Sequence, residues 1–553
     1  MWQKIKNNTV RTFLFIGGLS LLLAVATPTN KYFEIAKNLD IFATLFKEVN
    51  AFYVDEVDPK KTIETGINAM LASLDPYTNY IPEEDAADYR TMTTGEYAGI
   101  GSLIGVIEDK VVITMPNEGF PAEKAGIKIG DQLVKIDDVP ITTTTTSDVS
   151  KLLKGKPGTI VKIEIVRNGE TKHFTVTRST IIVENVPYYG MVTNNIGYLK
   201  LTEFTTNAGK EVKKAVKKLK SDGATSIILD IRENPGGLLF EAVNISNVFI
   251  PKGNLVVETR GKQEDWTQEY KTLGTPTDTK IPLVVLTSSG SASASEIVSG
   301  TLQDYDRAVL IGRKTFGKGL VQTTRQLPYN AQVKVTTAKY YIPSGRCIQA
   351  LDYSHRNTDG SVGKVPDSLM VAFKTKQGRT VYDGGGVTPD IKVEGQYLAP
   401  ITISLLSKAH IFNYANQYYY THPTAPKLKG FSLSDAEYAD FVAWLKDKNY
   451  DYTTKLENAI AKLEENKSND PMVEKIKDKL EILKKEVAHN KEKDLQTHKE
   501  EIQSLLEEEI MGRYYFTKGE IACSITHDND VAEAIALLNN PAKYNRILEK
   551  NQP

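Results

Sequence analysis

Residues 287–322 read TSSGSASASEIVSGTLQDYDRAVLIGRKTFGKGLVQ. An apolar run, Ile281 to Leu286, feeds into the Ser/Gly/Ala turn that opens this stretch. A helix-like segment follows, then a second apolar run, Ala308 to Ile311, and then Gly317-Lys318-Gly319. Short apolar runs bounded by turn residues read as buried strands. Strand, turn, helix and strand in that order are the alternation of an α/β domain. A lysine between two glycines, just past a buried strand, is an unusual place for a solvated charge.

The alternation continues outward over 195–395. Ile196 to Leu201, Ser226 to Ile231 and Leu283 to Leu286 read as strands, with helices around Gly209 to Lys220, after Gly237 and from Ala294. Val333 to Tyr341 is β-rich, and GGGVTPD at 384–390 marks a late edge loop. Residues 96–180 differ: β-like runs at Val111–Thr114, Gln132–Ile136 and Ile160–Val166 alternate with glycine turns. There PAEKAGIKIG (121–130) reads as a short helix and tight turn, and the polar run Thr142–Thr146 leads into a helix at Asp148–Leu153. Before this region, Tyr32–Val54 and Thr62–Leu74 are amphipathic helices that either pack on the core or form a dimer arm.

After residue 397 the chain is helical and charged. Ser434-Asp435-Ala436-Glu437 is a capping box. Val473, Ile476, Leu480, Leu483 and Val487 keep 3-4 spacing, and Leu495, Ile502, Leu505, Leu506 and Ile510 continue it on another helix. This predicts a hairpin or small bundle with solvated Lys/Glu faces, a structural appendage and not a seat of chemistry. A chain of 553 residues holds several domains at roughly 100–200 residues each. The expected boundaries are 1–26, 27–95, 96–180, 181–396 and 397–553.

The formal net charge is −1 with 25% charged residues, which argues against nucleic acid as a partner. At the N-terminus Lys4, Lys6 and Arg11 precede the apolar run Phe13–Ala26, which ends in Ala24-Val25-Ala26. This reads as a secretory signal peptide. The alternative is an uncleaved inner-membrane anchor, although the run is shorter than the ~20 residues usual for a span. Either places the remainder outside the cytoplasm, in the periplasm or cell envelope. Cys347 and Cys523 could join in one bridge, but the simpler reading is two buried thiols.

Acyl-transfer chemistry needs a nucleophile, a base and an oxyanion site. None of the seven histidines lies between Val186 and Asp352, which lowers the odds of a Ser-His-Asp triad. Lysine can serve as base if desolvation brings its pKa from ~10.4 towards ~7–8. The glycines beside Lys318 allow close approach, Phe316 could supply an apolar wall, and Gln322 could hold the amine without adding charge; the competing reading is a solvated loop lysine. Among the serines of the turn, Ser293 opens the box Ser293-Ala294-Ser295-Glu296 and could be a helix cap alone. The same position would aim the Ala294 N–H and the helix dipole at a developing oxyanion. A second donor could come from Asp230-Ile231-Arg232-Glu233-Asn234-Pro235-Gly236-Gly237, which follows a strand and ends in two glycines.

With these residues the chain resembles the carboxy-terminal processing peptidases, or tail-specific proteases. DIRENPGG (230–237), SASASEI (291–297), QDYDRA (303–308), KTFGKGLVQ (314–322), YYIPSGRCIQ (340–349) and GGGVTPDI (384–391) carry the resemblance, which covers roughly residues 40–395. It implies a Ser-Lys dyad in which Ser293 is the nucleophile, Lys318 the general base and Gln322 the lysine-orienting group. The oxyanion hole would use the Ala294 amide and one amide of Gly236-Gly237, either glycine serving. Asp304 matches an acidic residue of some members; a helix-end structural carboxylate is the competing reading. Residues 96–180 resemble a PDZ domain, with Ala98, Gly99, Ile100 and Gly101 as carboxylate-binding loop and Ile100, Leu103 and Ile104 as pocket lining.

The implied architecture is a multidomain α/β peptidase core, βα-alternating and crotonase/ClpP-like, with a PDZ domain, N-terminal helices and a C-terminal helical domain. The implied activity is a serine endopeptidase that cuts exported proteins near their C-termini, with no metal or organic cofactor. Expected partners are protein or peptide C-terminal tails, an adaptor at the PDZ or C-terminal helical domain, and a second copy through the N-terminal helices. The rival readings are a PDZ-containing scaffold or pseudo-protease without turnover, which would normally have lost Ser293 or Lys318, and another hydrolase on a related core. The long tail after 397 departs from many members and leaves assembly and partners open.

Overall fold

Residues 226–230, SIILD, are buried at every position, as a strand covered on both faces by other layers must be. The computed structural model describes residues 26–142, 145–357, 361–465, 476–487 and 491–549. Residues 1–25 of the expected leader, Thr143 and Thr144 of the polar run, and Val473 lie outside the described residues. The chain divides into two units, residues 1–80 and 81–553.

The first unit contains α1 (Ala26–Phe52) and α2 (Pro59–Ala72). Asp58 accepts the Lys61 N–H (3.1 Å) and Pro59 takes the first helical position, so the start of α2 is fixed locally. The Phe42 ring lies 3.7 Å from where Gly66 would carry a Cβ. Along α1, Phe33, Leu39, Phe42, Leu45 and Phe52 are exposed.

The second unit is organised around one sheet. β8 (Tyr188–Met191), β9 (Ile196–Lys200), β10 (Ser226–Asp230), β13 (Leu283–Thr287), β14 (Val309–Gly312) and β17 (Ile391–Lys392) lie side by side in that order. The β8–β9 pair is antiparallel and the rest are parallel. Side chains alternate across the sheet. Ile227, Leu229, Leu283 and Val285 face the layer of α6 (Ala208–Ser221), α7 (Leu239–Phe249) and α8 (Ala294–Asp304), where Val216, Ile245, Val298 and Leu302 complete one core. A smaller antiparallel sheet joins β11 (Leu255–Gly261) to β12 (Gln268–Lys271) and to β16 (Gln332–Tyr341), which also pairs with β15 (Leu320–Gln326). Because β10, β13 and β14 are parallel, the loops that leave their C-terminal ends emerge along one edge of the sheet, the usual place for a site.

The other face of the sheet corrects the expectation of a terminal appendage. Tyr198, Ile228, Val284, Leu286, Val309 and Ile311 pack against Ala522, Val531, Ala534, Leu537, Leu538 and Tyr544. These come from α12 (Lys499–Ser524), α13 (Asn529–Leu538) and α14 (Pro541–Leu548). The Tyr544 hydroxyl also sits 2.9 Å from the Leu283 N–H and 3.1 Å from its carbonyl. The last helices are therefore the second covering layer of the core, and each large aliphatic side chain buried there is worth roughly 1.5–3 kcal/mol. Upstream, α9 (Pro400–Ser407), α10 (His410–Thr421) and α11 (Asp435–Trp444) pack with α12 around Leu405, Tyr414, Phe441, Ile502 and Leu506. The Ser434 side chain accepts the Glu437 N–H as the capping box predicts. Leu495 sits on a separate short helix, Lys491–Thr497, and not on the helix of Ile502.

Residues 96–182 form a small β domain. β2 (Ser102–Ile107), β3 (Lys110–Pro116), β4 (Gln132–Ile136), β5 (Ile160–Arg167) and β6 (Glu170–Thr177) make an antiparallel sheet with β2 at its edge. β1 (Glu96–Gly99) pairs separately with β7 (Ser179–Ile182). Ile113, Leu133, Ile163 and Val176 form its core with Val149 and Leu153 of α5 (Thr146–Leu153). The domain is tied to the C-terminal helices: Lys128 Nζ reaches the Tyr419 hydroxyl (3.3 Å) on α10, and Lys518 pairs with Glu118 (2.8 Å). Both cysteines are free thiols, Cys523 buried and Cys347 partly so.

Candidate active site

Three loops meet at the sheet edge. The first leaves β13 as the serine turn, and its hydroxyls divide sharply. Ser291 Oγ donates to the Ile231 carbonyl (2.8 Å) and accepts the Ser288 N–H (3.0 Å). Ser295 Oγ donates to the Asn234 carbonyl (2.9 Å), and Ser288 Oγ accepts the Glu233 N–H (3.0 Å). These serines stitch the turn to the loop after β10. Ser293 differs. It takes φ +55° and ψ −111°, a strained conformation for a residue with a Cβ; its side chain faces the Glu296 N–H in a capping box but makes no full cap hydrogen bond to it. The Glu296 N–H goes instead to the Ser293 carbonyl (2.9 Å). Ser293 stands where a cap would, in a capping box whose other half is the Glu296 carboxylate on the Ser293 N–H (2.9 Å).

The second loop, after β14, carries Lys318. Gly317 has φ +89°, and a Cβ there would lie 2.4 Å from the Ala350 Cβ, so only glycine fits. Glu296 joins this loop to the serine turn. One carboxylate oxygen accepts the Ser293 N–H (2.9 Å) and the Lys318 N–H (2.8 Å); the other accepts the Thr315 hydroxyl (2.6 Å) and the Gly317 N–H (2.8 Å). The Tyr340 hydroxyl adds a second bridge, 3.1 Å from the Ser293 carbonyl and 2.5 Å from that of Lys318. Glu296 is wholly buried. Burial pushes its carboxyl up to about 7, and the four donated hydrogen bonds oppose the shift. In the sequence Glu296 is only the last residue of a capping box; nothing in its spacing marks it as the junction of two loops. Gln322 lies on β15, where its side-chain amide donates to Thr336 Oγ1 (3.3 Å).

The third loop, after β10, holds the two glycines. Gly236 has φ +98°, and a Cβ on it would come 2.6 Å from the Ala292 carbonyl and 2.8 Å from the Ala294 nitrogen. The glycine lets this loop lie directly against the start of α8. The two amides differ in commitment. The Gly236 N–H donates to Asn234 Oδ1 (2.9 Å), whereas among the described residues the N–H groups of Gly237 and Ala294 have no acceptor.

A family model for peptidase family S41 matches residues 195–354, one for the PDZ domain matches 98–177, and one for the C-terminal helical domain of probable PDZ-proteases matches 401–538. The carboxy-terminal-processing protease of Bartonella bacilliformis is 39% identical over 345 residues, 61% of this chain and 79% of that protein. The chain belongs to the carboxy-terminal processing proteases. The carboxy-terminal processing protease CtpA of Bacillus subtilis is 34% identical, over 61% of this chain and 71% of its own. Among solved structures, a photosystem II D1 C-terminal processing protease is 27% identical over 64% of this chain and 92% of its own, with a TM-score of 0.35. As a carboxy-terminal processing protease of family S41, the protein is a serine-type peptidase with a PDZ domain.

In this processing protease Asp304 ends α8, about 16 Å along the helix from Ser293 at 1.5 Å per residue. It accepts the Ser344 N–H (2.9 Å) and pairs with buried Arg346 (2.9 Å). Burial raises its carboxyl and Arg346 opposes the shift. Asp304→Ala would strand the guanidinium. We expect a stability loss of about 3–5 kcal/mol in urea unfolding, with kcat of the folded fraction changed far less. A large kcat loss without destabilisation would assign Asp304 to the chemistry.

The PDZ positions separate by environment. Ala98 and Gly99 lie on β1, opposite Thr180 and Ser179, and the Ala98 carbonyl accepts the Gly155 N–H (3.1 Å). The Ile100 side chain is inside the domain core and Ile104 packs on that core, while Leu103 is exposed on β2. Gly101 has φ +74°, and its carbonyl accepts the Asn117 N–H (2.9 Å). Among the described residues the β2 edge is unpaired on the side opposite β3, the arrangement that lets a peptide add as a further strand.

Proposed function

We propose that Ser293 and Lys318 are the nucleophile and general base of an endopeptidase that takes substrates by their free C-termini through the PDZ domain. The observation that carries this reading is the Glu296 carboxylate, which binds the main chain of both residues at once. Neutral Lys318 takes the proton from Ser293 Oγ as Oγ attacks the peptide carbonyl. The oxyanion rests on the N–H groups of Ala294 and Gly237; we favour Gly237 because the Gly236 N–H is already bonded. Lys318 returns its proton to the leaving amine as the C–N bond breaks. Water then attacks the acyl ester, Lys318 accepts its proton, and the serine departs with that proton. Gln322 would orient the lysine amine. A scaffold without turnover would have no use for the backbone strain held at Ser293.

Substrate tails would lie along β2 with the terminal carboxylate at the Ala98–Gly101 loop. The basic then apolar sequence Lys4–Ala26 supports a location outside the cytoplasm, in the periplasm or cell envelope. The exposed stripe of α1, Phe33 to Phe52, suits pairing with a second copy. A serine-directed acylating reagent tests the reading. Peptide mapping is expected to find the label on Ser293, and a peptide with a free apolar C-terminus is expected to slow labelling more than its C-terminal amide. Label on another serine would remove the nucleophile assignment, and equal protection by both peptides would remove tail recognition.

A further inference from the structure

The loop that carries Gly236 and Gly237 begins at Arg232, and Arg232 is held from outside the peptidase core. Its guanidinium pairs with Asp230 at the end of β10 (2.7 Å), with Asp528 (2.7 Å) and with Asp530 (2.8 Å). Asp528 is the N-cap of α13, accepting the Val531 N–H (3.1 Å), and Asp530 lies in its first turn. All three carboxylates and the guanidinium are largely shielded from water. Lys200 completes the cluster, its ammonium 3.2 Å from Asp230 and 3.3 Å from the Arg232 carbonyl. Arg313 stands 3.8 Å from Asp530. Three carboxylates thus face two close cations and one more distant one.

Such a cluster is costly to bury and weak evidence for stability by itself. Its position gives it another use. The residue after Arg232 is Glu233, with φ +58°, a left-handed conformation that costs of order 1–3 kcal/mol for such a residue and persists only where the surroundings impose it. On its far side the loop is pinned by Asn234, whose side chain donates to the Leu201 carbonyl (2.9 Å) and whose own carbonyl accepts the Ala292 N–H (3.0 Å). On its near side the pin is Arg232. Its N–H, Nε and Nη2 bond to Asp230 (2.9, 3.0 and 2.7 Å), while Nη1 donates to Asp528 and Asp530 of the C-terminal helices (3.0 and 2.8 Å) and Nη2 also pairs with Asp528 (2.7 Å).

We propose that Asp528 and Asp530 are positioning residues for the reaction: by clamping Arg232 they make the C-terminal helical domain hold the oxyanion loop in register with Ser293. This rests on the oxyanion reading above. It gives the tail a catalytic task besides covering the sheet.

The test is Asp528→Asn/Asp530→Asn in the full chain. Asparagine keeps the N-cap, and Asp230 still pairs with Arg232, so the fold is expected to survive. The expected result is a kcat lower by about 10- to 100-fold, below the ~10²–10³ that an entire oxyanion donor is worth, with KM for a free-tailed peptide changed less than twofold. Affinity for a peptide boronic acid, whose tetrahedral adduct mimics the oxyanion, should fall in parallel with kcat. A purely structural role would lower the melting temperature and leave kcat of the folded fraction and boronate affinity unchanged, which would overturn the proposal. If the double variant is insoluble, Asp530→Asn alone is measured by the same criteria, with at least a threefold fall in kcat expected. Ser293→Ala in parallel separates the levels: retained cleavage there overturns the dyad reading itself, whereas loss there with an unaffected clamp variant overturns only the clamp.

Discussion

Ser293→Ala is expected to reduce cleavage of a free-tailed substrate by about 10⁴- to 10⁶-fold, the loss typical of removing an activated nucleophile. The melting temperature should stay within a few degrees, because the Glu296 N–H keeps its bond to the Ser293 carbonyl (2.9 Å) when the hydroxyl is removed. Alanine at this position bears the same strained φ as serine, so the backbone has no reason to relax. Lys318→Ala should lose about as much, and the double variant should be scarcely worse than either, since groups that act in one step are not additive. Lys318→Arg is not expected to rescue, because a guanidinium does not give up its proton at usable pH. Residual cleavage above about 1% in Ser293→Ala, with contaminating protease excluded by a second purification, would place the nucleophile elsewhere. Additive losses in the double variant would mean that the two residues act separately.

The parts of this protein legible in its sequence are those written in local pattern. Ile227–Leu229 and Val284–Leu286 read as strands because a sheet covered on both faces needs unbroken apolar runs, and the register of these strands then puts three loops at one edge. The serine turn and the glycine-flanked lysine were visible for the same reason. What was not legible depends on partners distant in the chain. Val531, Ala534, Leu537 and Leu538 form a stripe too short to announce what it covers, and only the packing shows that they close the second face of the sheet. Leu495 keeps the spacing of Ile502, yet the helices break between them, since a 3-4 pattern does not register a one-residue interruption at His498. Nothing local to the sequence separates Gly236 from Gly237, whereas in the fold the Gly236 N–H is committed to Asn234. Glu296 was hidden most completely: its capping-box position gave it a sufficient local explanation, while three of its four donors lie in a loop some twenty residues further on.

That carboxylate carries the second large effect. With its charge, Glu296 can accept from Ser293, Thr315, Gly317 and Lys318 together. Glu296→Gln keeps the shape but turns an amide nitrogen towards two of those donors, leaving each unsatisfied at about 1–3 kcal/mol. We expect kcat to fall about 10²-fold or more, the scale of a 1 Å misplacement of reacting groups. The pH dependence has a definite sign. The folded carboxyl titrates at about 7, above its ordinary 4.5, so its contribution to stability is full below about pH 4.5 and is lost as pH rises through 7. Relative to Glu296→Gln, which has no such titration, wild type should lose on the order of 3 kcal/mol of unfolding free energy across that window and none beyond it. Activity runs the other way, because only the ionised form accepts all four donors and only neutral Lys318 can act as base. Below pH 7 the logarithm of wild-type kcat should therefore climb with a slope near 2, and that of Glu296→Gln with a slope near 1 from the lysine alone. Equal slopes in the two proteins would show that the carboxylate does not set the dyad. A wild-type stability that fails to decline against the variant between pH 4.5 and 7 would show that burial does not hold Glu296 in the form that folding prefers and catalysis must give up.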